Sequence, residues 1–442
     1  MRILLLTQVV PYPPDSGPKI KTYNVLRYLA QRHDVHLVSF VRSAAEAANA
    51  QALRRYCSEV TTVPLRRSRL LDLGYLSRSV LSGRPFLIER DDRVRMRRTL
   101  QELLRQQSFD AVHADQLSMA QFAVDLPVPS RVLDEHNAVW TIVRRAAQRT
   151  GWGPPRLAAE VEWRKLRAYE WAICQRFDRV TVVSEEDRRA LENPSGPTLS
   201  ADVIPIAVDT EELAFQPRTS ESRRIVSVAT MFYPPNVEGV YWFATEVLPL
   251  IRQAIPDVGF DVVGSRPPAR ITRLATPTSG INVPGYVADL EPLLGQSAVL
   301  VVPVSSGSGM RVKILEAFAR GIPIVSTTIG VEGIAAQAER HLLVADQPSA
   351  FAAAVIRLLR DPEQGARLAR AGRDLVVSQY DWRTALSGLD TLYPVGERAG
   401  SAAFQAARSG TRQREAEAPS PHPQPASDLG PKLSPEEEGI SG

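Results

Sequence analysis

The sequence predicts two doubly wound α/β domains in tandem, and three observations lead there. Short runs that are apolar along their whole length alternate with longer amphipathic segments, which indicates a parallel sheet covered on both faces. The alternation stops at a polar linker, QPRTSESRR (216–224), and then starts again. At 442 residues the chain is also too long for one ordinary core, so two domains of about 200 residues are expected.

The elements follow in order. The first half offers strands at ILLLTQ (3–8), VHLVSFV (35–41), VTTV (60–63), DAVH (110–113), RVLD (131–134), RVTVV (179–183) and DVIP (202–205). Amphipathic helices lie between them, including 18–32, 93–107 and 155–176. Ser184 followed by Asp187 reads as a helix N-cap. After the linker come strands RIVSVA (224–229), FDVVG (260–264), INVPG (281–285), AVLVVP (298–303), IPIVS (322–326) and LLVA (342–345), with helices at 238–254, 310–320 and 348–359. The segment YDWRTALSGLDTLY (380–393) reads as a last helix. The resulting organisation is a first domain over 1–215, a second over 216–379, and a terminal helix over 380–395 that crosses back to the first domain. The remainder, 396–442, is rich in Ala, Ser, Pro, Gln and Glu with little to bury, so it is expected to be disordered.

Composition removes several classes. The hydrophobic fraction of 44% is ordinary for a globular chain, and two cysteines, Cys57 and Cys174, make no disulfide framework. MRILLLTQVVPYPP has a charge and an apolar run but no small-residue cleavage site, and reads as a buried first strand. No apolar stretch approaches the roughly 18 to 20 residues that span a bilayer. A cytoplasmic protein is expected, with peripheral attachment to the inner face of a membrane left open. The net charge of +4 does not by itself imply nucleic acid.

The stretch SGSGMRVKILEAFARGIP (306–323) carries the chemistry. It follows strand AVLVVP, and ligands of open α/β sheets sit at the carboxyl ends of strands. A Gly/Ser turn opening a helix exposes unpaired N–H groups and the positive end of the helix dipole, which favours an anion. Arg311 and Lys313 add two charges where cations are otherwise unfavourable. The chain has only five lysines, Lys19, Lys21, Lys165, Lys313 and Lys432, so a lysine here stands out. A phosphate or diphosphate resolves the conflict; incidental charges on a solvated helix start are the bland alternative.

The longer run SGSGMRVKILEAFARGIPIVSTTIGVEGI resembles the donor segment of the retaining, GT-B-type glycosyltransferases of family four, in the subset with a Gly-x-Gly-x-Arg-x-Lys-x-x-Glu motif. PYPPDSGPKIKTYNVLRYLA, VLDEHN, MFYPPN, EGVYWF and GYVADLEPLL fall in the matching order, so the resemblance covers roughly 1–393. It implies two Rossmann-like domains facing each other across a cleft. It implies that Arg311 and Lys313 neutralise the diphosphate of a nucleotide-sugar, with backbone N–H groups of Gly307, Ser308 and Gly309. Glu316 would accept from the ribose hydroxyls. Gly17 would let the opposite backbone approach, Tyr286 and Val287 would meet the nucleobase, and His136 would reach toward the sugar and acceptor. Many relatives carry a glutamate where this chain has Ser308, and Pro205-Ile206-Ala207-Val208-Asp209 departs from the usual linker motif.

Other features are weighed beside these. His113 and His136 end or follow strands and are expected to point toward the cleft; Asp115, Asp134 and Glu135 are candidate acid/base groups that equally serve as helix caps. No metal site and no cofactor are expected, since the histidines are scattered and no Asp-x-Asp pair is present. The segment 54–105 is basic and apolar together. It is either a solvated surface or one that meets anionic lipid and a lipid-linked or glycan acceptor. VVPYPPDSG after the first strand lacks the Gly-x-Gly-x-x-Gly turn of a dinucleotide dehydrogenase. A nucleotide-sugar epimerase, a phosphorylase or a non-catalytic scaffold of the same architecture stays open.

Overall fold

The computed structural model of the chain describes residues 1–193, 196–216, 222–307 and 309–394. Ser308 and the expected disordered tail lie outside them. Thirteen strands form two sheets, and every strand pairing in them is parallel. The first holds β1 (Arg2–Thr7), β2 (Asp34–Val41), β3 (Glu59–Pro64), β4 (Ala111–Asp115), β5 (Ser130–Glu135), β6 (Arg179–Val182) and β7 (Ala201–Val203) in the order β3-β2-β1-β4-β5-β6-β7. The second holds β8 (Arg224–Val228), β9 (Gly259–Val263), β10 (Ile281–Gly285), β11 (Val299–Val302), β12 (Ile324–Ser326) and β13 (Leu343–Val344) in the order β10-β9-β8-β11-β12-β13.

Both sheets reverse their strand order between the first strand of the domain and the fourth, at β1/β4 and β8/β11. That switch leaves a crevice at the carboxyl ends, where ligands of such sheets bind. Helices cover both faces, and each domain has an apolar core on either side of its sheet: Leu4, Leu6 and Val112 on one face of the first, Ile3, Leu5 and Ala111 on the other. The Ser184 hydroxyl accepts from the Asp187 N–H at 3.1 Å and caps the following helix as expected.

Two expected helices are interrupted. The one read over 238–254 runs as Pro234–Trp242, a π-turn over Phe243–Val247, and Leu248–Ala254. Pro249 lacks the N–H that a continuous ladder needs, and a wider turn absorbs the gap. The last segment breaks into Trp382–Ala385, a 3₁₀ turn and Leu389–Leu392, with Gly388 between them.

That last segment lies in the first domain. Trp382, Leu386, Leu389, Leu392 and Tyr393 pack into the core with Ile3, Leu5 and Tyr28. Where it crosses, it runs beside the outgoing linker: Val208 N–H donates to the Tyr380 carbonyl at 2.9 Å and Trp382 N–H to the Val208 carbonyl at 3.0 Å. The unusual linker stretch is tied to the first domain as well. Asn24 donates to the Ala207 carbonyl at 2.9 Å, and Arg27 pairs with Asp209 at 3.1 Å while stacking on the Trp382 ring.

Candidate active site

The donor-side turn leaves β11 and enters the helix Val312–Arg320, with Arg311 as its N-cap. Ile314, Leu315 and Phe318 are wholly buried and anchor this helix to the sheet, which leaves residues 313 and 316 on its half-buried side. The Arg311 guanidinium is buried and donates to the carbonyls of Gly309 and, at 3.4 Å, Ser306. Lys313 stands two residues on. Its ammonium is densely surrounded by protein, although part of the side chain still reaches the surface. Burial, and then repulsion from Arg311, lower its pKa to about 7, with Glu316 opposing. No described residue hydrogen-bonds that ammonium. Tyr286 is exposed, and Val287 is half-buried beside the same core.

The first domain meets this turn closely. A Cβ on Gly17 would lie 3.4 Å from Val312 Cγ2, between Arg311 and Lys313 in sequence. A Cβ on Gly309 would overlap the Asn137 side-chain oxygen at 1.7 Å, and Gly309 holds a φ of +84° that side chains rarely adopt. Glycine is therefore required there twice over. Beside Asn137, His136 Nε2 bonds Asp115 Oδ1 at 2.9 Å, and its Nδ1 lies 3.4 Å from the Gln116 amide. Asp115 also accepts from the Thr22 hydroxyl at 2.9 Å. The structure thus brings Gly17 of the first domain against Val312 and Asn137, the residue after His136, against Gly309, with Lys313 and Glu316 farther along the same helix.

Below it lies a buried charged layer that the sequence did not reveal. Lys21 pairs with Asp134, which also accepts from the Thr181 hydroxyl at 2.6 Å. Burial alone would raise the Asp134 pKa, but Lys21 and the two histidines hold it well below the ordinary value. Atoms of His113, Asp115 and Asp134 lie within 4.8 Å of one another. That spacing suits a metal ion, yet the Lys21 ammonium already occupies Asp134 as its cation.

Two candidates are corrected. His113 does not reach the cleft: β4 runs on to Asp115, and the imidazole is fully buried with Nδ1 2.8 Å from the Tyr393 hydroxyl. Glu135 is turned into the interior, where burial and Glu170 push its pKa far above the ordinary value. It is no cleft acid or base.

Sequence reasoning also missed three residues that line the seam. Asn137 faces Gly309. From the helix Val139–Arg149, Arg145 binds Glu332 bidentately at 2.6 and 2.7 Å and the Gly307 carbonyl at 2.5 Å. Glu332 follows β12 in the second domain. Partners 187 residues apart leave no local signal.

The family model "Glycosyltransferase Family 4" matches residues 17–212, and "Glycosyl transferases group 1" matches 222–361. The chain is a GT-B glycosyltransferase. The boundary between the two matches falls in the linker, one glycosyltransferase model to each sheet. An "Uncharacterized 44.6 kDa protein in cps region" of Klebsiella pneumoniae is 20% identical over 88% of this glycosyltransferase and 98% of its own length. A "GDP-mannose-dependent alpha-(1-6)-phosphatidylinositol monomannoside mannosyltransferase" of Mycobacterium tuberculosis is 27% identical over 52% of this chain and 66% of its own. Among solved structures, Anabaena Alr3699/HepE in complex with UDP and glucose superposes with a TM-score of 0.64 at 14% identity, covering 89% of this chain and 99% of that one. WaaG, a glycosyltransferase involved in lipopolysaccharide biosynthesis, superposes with a TM-score of 0.59 at 14% identity, covering 89% and 100%. At such identity these structures establish the fold.

Proposed function

We propose that this glycosyltransferase moves a sugar from a nucleotide-sugar to a lipid-linked or cell-envelope glycan acceptor, with retention of configuration and without a metal ion. The observation that carries the reading is the close approach of Gly17 to Val312, and of Asn137 beside His136 to Gly309, at the turn and helix that bear Arg311, Lys313 and Glu316. Departure of the nucleoside diphosphate develops charge on its oxygens, and cations fixed there before the reaction stabilise that state without reorganising. Retention follows if the acceptor attacks the face that the diphosphate leaves, the departing phosphate taking the acceptor's proton. His136 suits a positioned contact to the sugar, since both ring nitrogens are already engaged by Asp115 and Gln116. The UDP complex of HepE and the GDP-mannose dependence named for the mycobacterial relative support a nucleotide-sugar donor. Calorimetry with UDP and GDP, followed by a donor-hydrolysis screen of nucleotide-sugars, tests it. A non-catalytic scaffold should bind neither nucleotide and hydrolyse no donor.

Glu316 in this scheme holds the ribose hydroxyls and moves no proton. Glu316→Gln should therefore raise the donor KM with a modest loss of kcat and an unshifted pH profile. Loss of one limb of the profile would give Glu316 a proton-transfer role instead. Transfer should also survive EDTA, and loss that Mg²⁺ restores would contradict a metal-free site.

An exposed apolar helix on the acceptor side supports a membrane-associated acceptor in this reading. In the helix Arg69–Ser82 the usual arrangement is inverted: Ser79 is buried against the protein, while Leu70, Leu73, Leu76, Val80 and Leu81 face out, Leu70 81% and Leu81 88% exposed. Of the arginines 66, 67 and 69 that lead into this helix, Arg67 is taken up by Asp91 at 2.5 Å. Arg66 and Arg69 remain exposed. Each is worth about 1 kcal/mol at an anionic surface, to which burial of the leucines adds. The protein should sediment with anionic but not neutral liposomes, less so in high salt or after Arg66→Glu with Arg69→Glu. Equal, negligible sedimentation with both would point to an acceptor free in solution. Among the described residues no helix is long and apolar enough to cross a membrane.

A further inference from the structure

Every described carbonyl in the donor turn from 305 to 309 is held by an arginine, and two of the three arginines come from the other domain. Arg149 donates to the Ser305 carbonyl and lies 3.6 Å from Glu238. Arg311 takes those of Ser306 and Gly309. Arg145 takes that of Gly307 while gripping Glu332. Arg145 and Arg149 lie one turn apart on the helix Val139–Arg149, so they present one edge to the turn. That helix is itself seated firmly. Glu170 accepts from the N–H groups of Val139 and Trp140 at 2.7 and 3.2 Å, and Asp187 from that of Ala138 at 3.0 Å. A turn binds an anion through its N–H groups, and guanidinium groups drawing its carbonyls aside favour that presentation.

We infer that Arg145 and Arg149 are positioning residues of the donor site, contributed by the acceptor-side domain, so that the diphosphate-binding turn takes its working shape only when the two domains are closed. The inference rests on the donor reading proposed above. Its consequence is reciprocal. If closure shapes the turn, a nucleoside diphosphate binds the closed form more tightly, and by linkage it draws the domains together by the same factor. Arg145 is suited to the task because a planar fork can hold a carbonyl and a carboxylate at once, which a lysine ammonium cannot do with the same geometry.

The test is calorimetry with UDP and GDP on the full chain and on Arg145→Ala, Arg149→Ala and Arg145→Lys, with melting temperature and small-angle scattering measured on each. Affinity should fall about tenfold or more in Arg145→Ala, the scale of one charge-assisted contact, and less in Arg149→Ala, whose side chain is more exposed. Arg145→Lys should give an intermediate loss. Nucleotide should shrink the radius of gyration of the wild type and do so less in the variants. Wild-type affinity and compaction in variants that melt normally would overturn the inference while leaving the donor reading intact. Failure of the wild type to bind either nucleotide would overturn both. A variant that melts early is judged by Arg145→Lys, which retains the charge: full wild-type affinity there rejects the positioning role.

Discussion

Lys313→Ala should slow sugar transfer by about 10²-fold or more and weaken nucleoside-diphosphate binding, the range found when one preorganised charge contact at a reacting group is lost. The lysine is enclosed by protein beside a second cation, and no described residue hydrogen-bonds it. Such an arrangement is unfavourable in the empty protein and favourable once an anion arrives. Arg311→Ala should lose at least as much, for a different reason. Its guanidinium carries charge and also holds the carbonyls of Gly309 and Ser306, so the variant loses loop geometry as well as charge. Steady-state kinetics with the donor identified by the hydrolysis screen separates the two: Lys313→Arg should recover part of the rate, Arg311→Lys little. Wild-type rates in both alanine variants would remove the donor site from this helix.

Nucleotide affinity should also depend steeply on pH, through Lys313. In the empty site its pKa is lowered to about 7, first by burial and then by Arg311. A bound diphosphate favours the charged ammonium and raises that pKa. Below pH 7 the lysine is already protonated, and affinity is at its full value. As pH rises above 7 the free site loses the proton that the complex retains, so affinity falls by up to about tenfold per unit until the pKa of the complex is passed. Calorimetry at pH 8 in buffers of different ionisation enthalpy should show uptake of close to one proton on binding. Lys313→Arg should abolish both the uptake and the slope. Affinity that stays flat from pH 6.5 to 9 would show that Lys313 does not meet the phosphate.

The sheets were legible because core strands of parallel sheets are apolar on both faces, and each of the thirteen has its run in the chain. Helix continuity was less so. Nothing in the periodicity around Phe243 announces a π-turn, although Pro249 hinted at a fault, and Gly388 divides what looked like one last helix. In the candidate site, Arg311 and Lys313 stood out because cations at a helix N-terminus violate a local rule. The residues that face them violate none. Arg145 is one arginine among many, Asn137 an ordinary residue after a strand, and Glu332 a glutamate between glycines. Their meaning comes from contacts across the domain seam, which no window of sequence contains. Lys21 had a faint signal in the scarcity of lysine, but its partner Asp134 lies 113 residues away. The error over His113 had a plainer origin: a strand read two residues too short moves a buried side chain to a strand end.

The chain passes between the domains twice, side by side, and the two passages are stitched by the hydrogen bonds between Val208 and residues 380 and 382. A single tether would let one lobe twist, tilt and drift relative to the other. Two parallel strands fastened at the same point behave like a door on paired pins: bending across the pair is easy, while twisting about either strand strains the other. Any relative movement of the lobes is therefore expected to be a swing about this point, one that leaves Gly17 opposite Val312 and Asn137 opposite Gly309. Two tethers at one point keep the half-sites near register, so the local concentration of one for the other stays high.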